Sequence, residues 1–470
     1  MILHLQDPVF KHLAATAKKT GMPAWVVGGF VRDCILGRPT KDVDVVVLGS
    51  GVEFAKEFAD SLQENRFVSY FKNFGTAQIK TSELTIEVIG ARKESYQRNS
   101  RKPLVEDGSL IDDQNRRDFT INAMYISLNE EDYGSLYDPF SGVKDIESAT
   151  IKTPRDPGIT FSDDPLRMLR AIRFATRLNY TIDPPTWKSI VENASRIKIV
   201  SQERITDELN GIISCEKPGK GFELLFDSGL LQIILPELAA MQGIETRNGK
   251  SHKDNFYHTL QVLDQLCQLS DNLWLRWSAI LHDIAKPATK RFDPQEGWTF
   301  HGHEDRGSRM VNGIFRRMRL PLDEKMRYVE KMVALHLRPI VLGQEIVTDS
   351  AVRRLIVDAG EDLPDLMKLC QADITSKNAK KVERHLANLQ KVQSRIDDVI
   401  ERDKLRNWQP PVTGNHILSA FEISDPKMIG EIKNAVREAI IEGDVPNELE
   451  PALDYMRSIG QERGLKLKTT

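Results

Sequence analysis

Cysteine is scarce. Four occur in 470 residues, Cys34, Cys215, Cys267 and Cys370, far apart and with no Cys-x-x-Cys spacing. That excludes a disulfide-stapled scaffold and a thiolate metal site, and it predicts free thiols in a reducing compartment. Long apolar runs are also missing. No stretch reaches membrane-spanning length and no basic segment leads into an apolar one, so a soluble cytoplasmic protein with no membrane partner is expected. Neither sign of charge is in excess: 65 Lys+Arg against 68 Asp+Glu give a formal net charge of −3. Overall basicity therefore cannot drive nucleic-acid binding, and any RNA contact has to come from local basic surface. Internal repeats and low-complexity tracts are lacking, and the length suits about three domains with ample cores.

Among what is present, Asp42 and Asp44 are the most informative residues. They lie in Thr40-Lys41-Asp42-Val43-Asp44-Val45-Val46-Val47-Leu48, a strand-like run. Side chains two apart on a strand share a face, so the two carboxylates project together. Adjacent carboxylates repel, and a pair of divalent ions about 4 Å apart is one reason to hold them side by side. An isolated Asp-x-Asp is more often a solvated strand start. Here, however, Ala24-Trp25-Val26-Val27 reads as a buried strand, followed by Gly28-Gly29 and the short helical segment Phe30–Gly37. A strand, a glycine pair and a helix start can seat a phosphate, with Arg32 adding charge. A triphosphate seat beside a metal site suggests nucleotidyl transfer.

Val27-Gly28-Gly29-Phe30-Val31-Arg32-Asp33, Leu36-Gly37-Arg38 and Asp42-Val43-Asp44 closely resemble the class II tRNA nucleotidyltransferase and bacterial poly(A) polymerase family, within the polymerase-β-like nucleotidyltransferase superfamily. The resemblance implies an α+β chain: an α/β catalytic head (1–150), a helical neck and body for base and RNA recognition (151–250), an HD metal-binding domain (251–380) and a helical tail that meets tRNA (381–470). Strand-like runs at 25–27, 43–48, 76–80, 84–89 and 123–128 fit the head. From about 160 the apolar positions recur at helical spacing. The run 379–405, with Val382, Leu386, Leu389, Ile396 and Val399, reads as a packed helix.

Arg116-Arg117-Asp118-Phe119-Thr120-Ile121-Asn122-Ala123 matches the family's ribose motif, which implies that Arg117, Asp118 and Asn122 meet the ribose. Ser162-Asp163-Asp164-Pro165-Leu166-Arg167 matches a Glu-Asp-x-x-Arg motif implied to read the base, with Asp163 in the glutamate's place. A carboxylate accepts from the amino group that cytosine and adenine share, and a guanidinium donates to the neighbouring ring nitrogen. Guanine and uracil present the reverse pattern. Asp164 and Arg167 would thus admit CTP and ATP. Arg170, Arg173 and Arg177 continue Arg167's stripe, as further recognition (Arg170) or as a solvated basic face. Ser162 or Asp163 is expected to cap this helix. The basic segment Arg92–Pro103 resembles the family's flexible loop, implied to help move specificity from C to A. Glu87 is a weaker candidate for a third metal carboxylate. Asp138–Asp145 and Glu203-Arg204-Ile205 with Glu208-Leu209 resemble scaffold motifs.

Ten histidines occur, and six lie between His252 and His336. The order His258, His282-Asp283, His303, His336, Asp373 resembles the HD metal-phosphohydrolase superfamily, implying a divalent transition metal, or Mg²⁺, held by those six residues. His252 and His301 are possible substitutes. Whether such a site hydrolyses or is structural stays open.

The expected function is template-independent addition of C, C and A to tRNA 3′ ends, with Asp42 and Asp44 holding Mg²⁺ and Gly28, Gly29 and Arg32 seating the triphosphate. Competing readings are a poly(A) polymerase, which would carry a basic tail and no full HD site, and an A-only or CC-only adder. From another class comes an HD phosphohydrolase with an RNA-binding head, which predicts erosion of Asp42, Asp44 or Arg117.

Overall fold

A computed structural model describes residues 5, 7–62, 67–71, 75–97, 100–343, 348–376, 378–403, 410–423 and 425–468; between 92 and 107 only the backbone is described. Contacts divide the chain into two units, 1–239 and 240–470.

The first unit is built on a seven-stranded sheet. Its strands are β1 (Ala24–Val27), β2 (Asp42–Val47), β3 (Phe67–Phe71), β4 (Thr76–Lys80), β5 (Thr85–Gly90), β8 (Tyr125–Ser127) and β9 (Leu136–Tyr137), in the order β3-β4-β5-β2-β1-β8-β9. β2 runs antiparallel to β1 and parallel to β5. The valine-rich centre of β1 and β2 is fully buried, as a central strand demands. Helices Pro8–Thr20 and Gly51–Ser61 pack together, the latter also on β4 and β5. Asp7 and Ser50 cap these helices by accepting from Val9 and Glu53 N–H groups. The other sheet face carries a small cluster of Trp25, Val27, Val46, Ala91 and Tyr125. Asp42 and Asp44 share the parity of Val46 and so belong to this face.

The basic segment expected as a loop is instead a hairpin of β6 (Arg92–Gln97) and β7 (Ser100–Asp107). Its strand pairing extends past Pro103 to Asp107, beyond the window that the charge pattern singled out. Arg98 and Asn99 lie outside the described residues.

The neck is helical, with Pro157–Asp163, Leu166–Leu178, Pro184–Asn193, Gln202–Ile213 and Pro218–Asp227. Met168, Leu169, Ala171, Ile172 and Ala175 are fully buried along Leu166–Leu178. Truncating one such leucine to alanine costs about 2–5 kcal/mol. Asn179 closes this helix at φ +57°, a left-handed position asparagine tolerates.

The second unit is a helical array. Trp277 is fully buried and packs against Phe315. Helix Ala379–Asp403 buries Leu389, Ile396 and Val399 of the predicted stripe, and Val392 besides, while Val382 and Leu386 are half-buried. Val412, Ile417, Phe421, Ile432, Val436 and Met456 form a separate core in the tail. The helical remainder also contains short strand pairs, 150–151 with 181–182, 246–247 with 250–251, and 291–293 with 297–299. Elements this short fall below the reach of any periodicity.

Candidate active site and metal centre

The register of the sheet assembles the acids. Asp44 lies beside Val27 on β1 and beside Glu87 on β5, while Asp42 pairs with Thr85. Glu87 thus shares the face and the level of Asp44. Asp42 is exposed and Asp44 half-buried. Burial pushes the Asp44 carboxyl above its ordinary value; Arg117 pulls it down and Asp42 pushes it up again. Three carboxylates on one face, Asp44 and Glu87 at one level and Asp42 two residues along, suit a hard divalent cation with oxygen ligands.

Gly28 adopts φ +74°, ψ −133°, open essentially to glycine alone. A Cβ there would stand 3.2 Å from Arg117 Nη1 and 3.3 Å from Asp44 Oδ2. The glycine turn therefore brings together one carboxylate of the pair and the arginine of the ribose motif. Arg32, expected at the triphosphate, is 3% exposed. Its Nε and Nη2 donate to Asp33 (both 2.9 Å) and its Nη1 to Asn122 Oδ1 (2.7 Å). Its charge is paired inside the fold, yet its Nη2 would stand 3.6 Å from a Cβ at Gly29, much as Arg117 Nη1 faces Gly28. Asn122, also buried, donates to Asp118 Oδ1 at 3.2 Å, so it bridges Arg32 and Asp118.

Asp113 had no part in the sequence reading. It is fully buried on the short helix Leu110–Asn115, started by a reciprocal Ser109–Asp112 cap. Its Oδ1 accepts from Arg116 Nε (2.9 Å), and its Oδ2 from Arg117 Nη2 (2.9 Å) and the Tyr125 hydroxyl (2.7 Å). Burial pushes this carboxyl up, but Arg117, Arg116 and the Tyr125 hydrogen bond outweigh it and hold it below its ordinary value. The spacing to Arg117 was the available signal, since residues four apart meet on a helix.

Asp118 accepts from Phe119 N–H on Oδ1 (2.8 Å) and from Arg170 on Oδ2. The basic face expected on Leu166–Leu178 is therefore in part an internal one. Arg170 pairs with Asp118 at 2.6 Å and Arg173 with Glu208 at 2.6 Å; Arg177 is exposed. Ser162 and Asp163 belong to the preceding helix, and the cap comes from Asp164, whose Oδ1 accepts from Leu166 N–H at 3.2 Å. Its Oδ2 lies 3.1 Å from Arg204 Nη2, and Arg167 Nη2 donates to the Arg116 carbonyl at 2.5 Å. The scaffold residues Arg204 and Glu208 thus hold Asp164 and the arginine stripe in place.

In the second unit the histidines converge. His258 Nε2 lies 2.9 Å from Asp373 Oδ1; His282, His303 and His336 Nε2 lie 3.2, 3.1 and 3.8 Å from Asp283. Those last three Nε2 atoms are buried and make no hydrogen bond. Their Nδ1 atoms face the carbonyls of Ala279, Phe300 and Val333 at 2.7, 2.8 and 2.7 Å. A carbonyl can only accept, so Nδ1 carries the proton and each Nε2 aims a lone pair at the shared centre. Orphaned lone pairs converging on a buried carboxylate fit a divalent cation. Burial pushes His336 down to about 4, which keeps it neutral and able to ligate. Burial would raise Asp373, but the His258 hydrogen bond holds it down at about 2.

His258 differs. Its Nδ1 faces Lys253 Nζ at 2.8 Å and Thr375 Oγ1 at 2.9 Å. A donating ammonium places the imidazole proton on Nε2, toward Asp373, so Nε2 offers no lone pair while Lys253 donates to Nδ1. His252 is outside the set: its Nε2 accepts from Glu245 N–H and its Nδ1 faces the Lys253 carbonyl. His301 is exposed. Lys286 reaches Asp283 Oδ2 at 2.6 Å.

Residues 24–152 match the Poly A polymerase head domain, 179–242 the probable RNA and SrmB-binding site of polymerase A, and 255–378 the HD domain. An A-adding tRNA nucleotidyltransferase of Aquifex aeolicus is 44% identical over 188 residues, 40% of this chain, which spans only 22% of that relative's length. The A-adding tRNA nucleotidyltransferase of Deinococcus radiodurans is 31% identical over 72% of this chain and 76% of its own. The multifunctional CCA protein of Shewanella frigidimarina is 32% identical over 64% and 70%. A solved tRNA nucleotidyltransferase, complexed with a primer tRNA and an incoming ATP analogue, superposes with TM-score 0.58 at 25% identity, over 81% of this chain and 98% of its own. Among the described residues no helix is long and apolar enough to cross a membrane. With this head, this acid pair and this histidine cluster, the chain belongs to the tRNA nucleotidyltransferase and poly(A) polymerase family: it is a nucleotidyltransferase with an HD domain and a dependence on divalent metal.

Proposed function

We propose that the protein completes tRNA 3′ ends with C, C and A from CTP and ATP. The observation that carries this reading is the meeting of Asp44 and Arg117 at the Gly28 turn, one strand from Glu87. Asp42 and Asp44 hold Mg²⁺, with Glu87 as the third oxygen donor. The bound ions supply charge neutralisation at the attacking RNA hydroxyl and at the departing pyrophosphate. Gly28 and Gly29 let the backbone approach the triphosphate. Arg117 and Asp118 receive the ribose side of the nucleotide, backed by Asn122 and Arg170; Asp164 and Arg167 select the base, with Asp163 beside them. The neck continues this recognition surface, the HD domain holds a divalent transition metal on His258, His282, Asp283, His303, His336 and Asp373, and the tail meets tRNA.

A second reading, addition of A alone, is favoured by the A-adding relative that is 44% identical over 188 residues. The two part on one experiment. tRNAs ending at the discriminator base, after one C, or after two, are incubated with CTP and ATP and their 3′ ends sequenced. The full reading expects all three to finish as CCA. The A-only reading expects extension of the last alone, and homopolymer tails would sink both.

A further inference from the structure

Arg117 is a mobile side chain by chemistry and a fixed one by surroundings. Its Nη1 and Asp44 Oδ2 flank a single point in the Gly28 turn, at 3.2 and 3.3 Å. Opposite charges that flank one turn attract each other. Yet no ion pair joins them among the described residues: the Nε and Nη2 edge of Arg117 is held by Asp113 Oδ2 at 3.1 and 2.9 Å. Tyr125 completes the clamp. Its hydroxyl accepts from Arg117 Nε at 3.1 Å and donates to Asp113 at 2.7 Å, and its ring lies 5.4 Å beneath the guanidinium. Asp113 and Tyr125 are fully buried, so both groups are anchored in the fold. Burying a carboxylate is costly, and a helix this short has no need of one for its own stability.

We propose that Asp113 and Tyr125 are positioning residues that hold Arg117 off Asp44, and thereby keep Asp44 open to the metal ion while leaving Nη1 free for the incoming nucleotide. Without the clamp, Arg117 rotates onto Asp44 and competes with the cation as an internal counter-charge. The inference rests on the reading of Asp42 and Asp44 as metal ligands, and the test separates the two.

Mn²⁺ binding to the full chain is followed by electron paramagnetic resonance. The part of the isotherm lost in the Asp42→Ala/Asp44→Ala double variant belongs to the head and leaves the HD centre aside. Asp113→Asn is expected to weaken that part about tenfold, and adding Arg117→Met to Asp113→Asn to restore it to within about twofold of the wild type. A merely structural role for Asp113 would not be rescued by removing a second residue. Tyr125→Phe, which deletes one hydroxyl, should weaken binding about threefold, again reversed by Arg117→Met; it decides the matter if Asp113→Asn does not fold. Unchanged binding in these variants, or weak binding that persists without Arg117, overturns the proposal. Loss of nothing in the Asp42→Ala/Asp44→Ala control overturns the metal-ligand reading and this inference with it.

Discussion

Arg170 Nη2 stands 2.6 Å from Asp118 Oδ2, and Arg170 Nε donates to the same oxygen at 2.8 Å. This pair ties the ribose motif to the arginine stripe of the neck. Asp118 is 8% exposed. Burial pushes its carboxyl up, but Arg170 and Arg167 outweigh this and hold it below its ordinary value.

Replacing Arg170 by glutamine leaves a buried carboxylate without its cation. Arg170 is one-third exposed, so the loss falls short of a fully buried pair and should be about 2 kcal/mol. Urea denaturation measures it, and Arg170→Lys should recover part of the loss because one charge remains without the forked geometry.

Acid should unfold the protein through the same groups. Asp113 and Asp118 are both held below their ordinary values. Each therefore binds fewer protons folded than unfolded, and its stabilisation is complete above the unfolded carboxylate pKa of about 4. That contribution is lost as pH falls through the folded values. Urea midpoints measured from pH 6 downward should drop below about pH 4, and Asp118→Asn should give a lower but flatter profile.

Base choice should fail selectively at Asp164 and Arg167. Asp164→Ala or Arg167→Ala removes one half of the donor–acceptor match, so kcat/KM for CTP and ATP should fall by about 100-fold. Relative use of GTP and UTP should rise, read by single-nucleotide extension of a tRNA primer. Arg204→Ala should show a smaller shift in the same direction, since it frees the Asp164 carboxylate that Arg204 holds at 3.1 Å.

Chains of local signal were readable without the fold, and pairings across it were not. Asp42 and Asp44 share a face by strand parity alone, and the central strands follow from their valine runs. Glu87 was a weak candidate from the sequence, and the parallel register is what sets it beside Asp44. For Asp113 the spacing offers only Arg117; its contact with Tyr125 and its place behind the Gly28 turn come from the fold. The partners of Arg32 were hidden for the same reason: its position after the glycines suggests phosphate, and only the fold shows Asp33 and Asn122 against its guanidinium. The histidine order pointed to a metal centre, but nothing in the pattern singles out Lys253, whose Nζ lies 2.8 Å from His258 Nδ1.

The HD centre should respond to that lysine. Lys253→Met frees His258 Nδ1 to donate to Thr375 and removes a positive charge beside the cluster, so affinity for Co²⁺ should rise several-fold. His336→Ala and Asp283→Asn should lower it by at least about tenfold. Competition against a chelating dye reads both directions, and a fall in Lys253→Met would refute the tautomer argument.

The central claim is that the Asp42–Asp44 face, at the Gly28 turn, performs nucleotidyl transfer to tRNA. Asp44→Asn keeps the shape of the side chain and removes its charge. Single-turnover addition of radiolabelled CMP to a tRNA lacking its 3′ CCA should fall at least about 1,000-fold in this variant, with Co²⁺ affinity of the HD centre unchanged. Addition at near wild-type rate by Asp44→Asn would contradict the account.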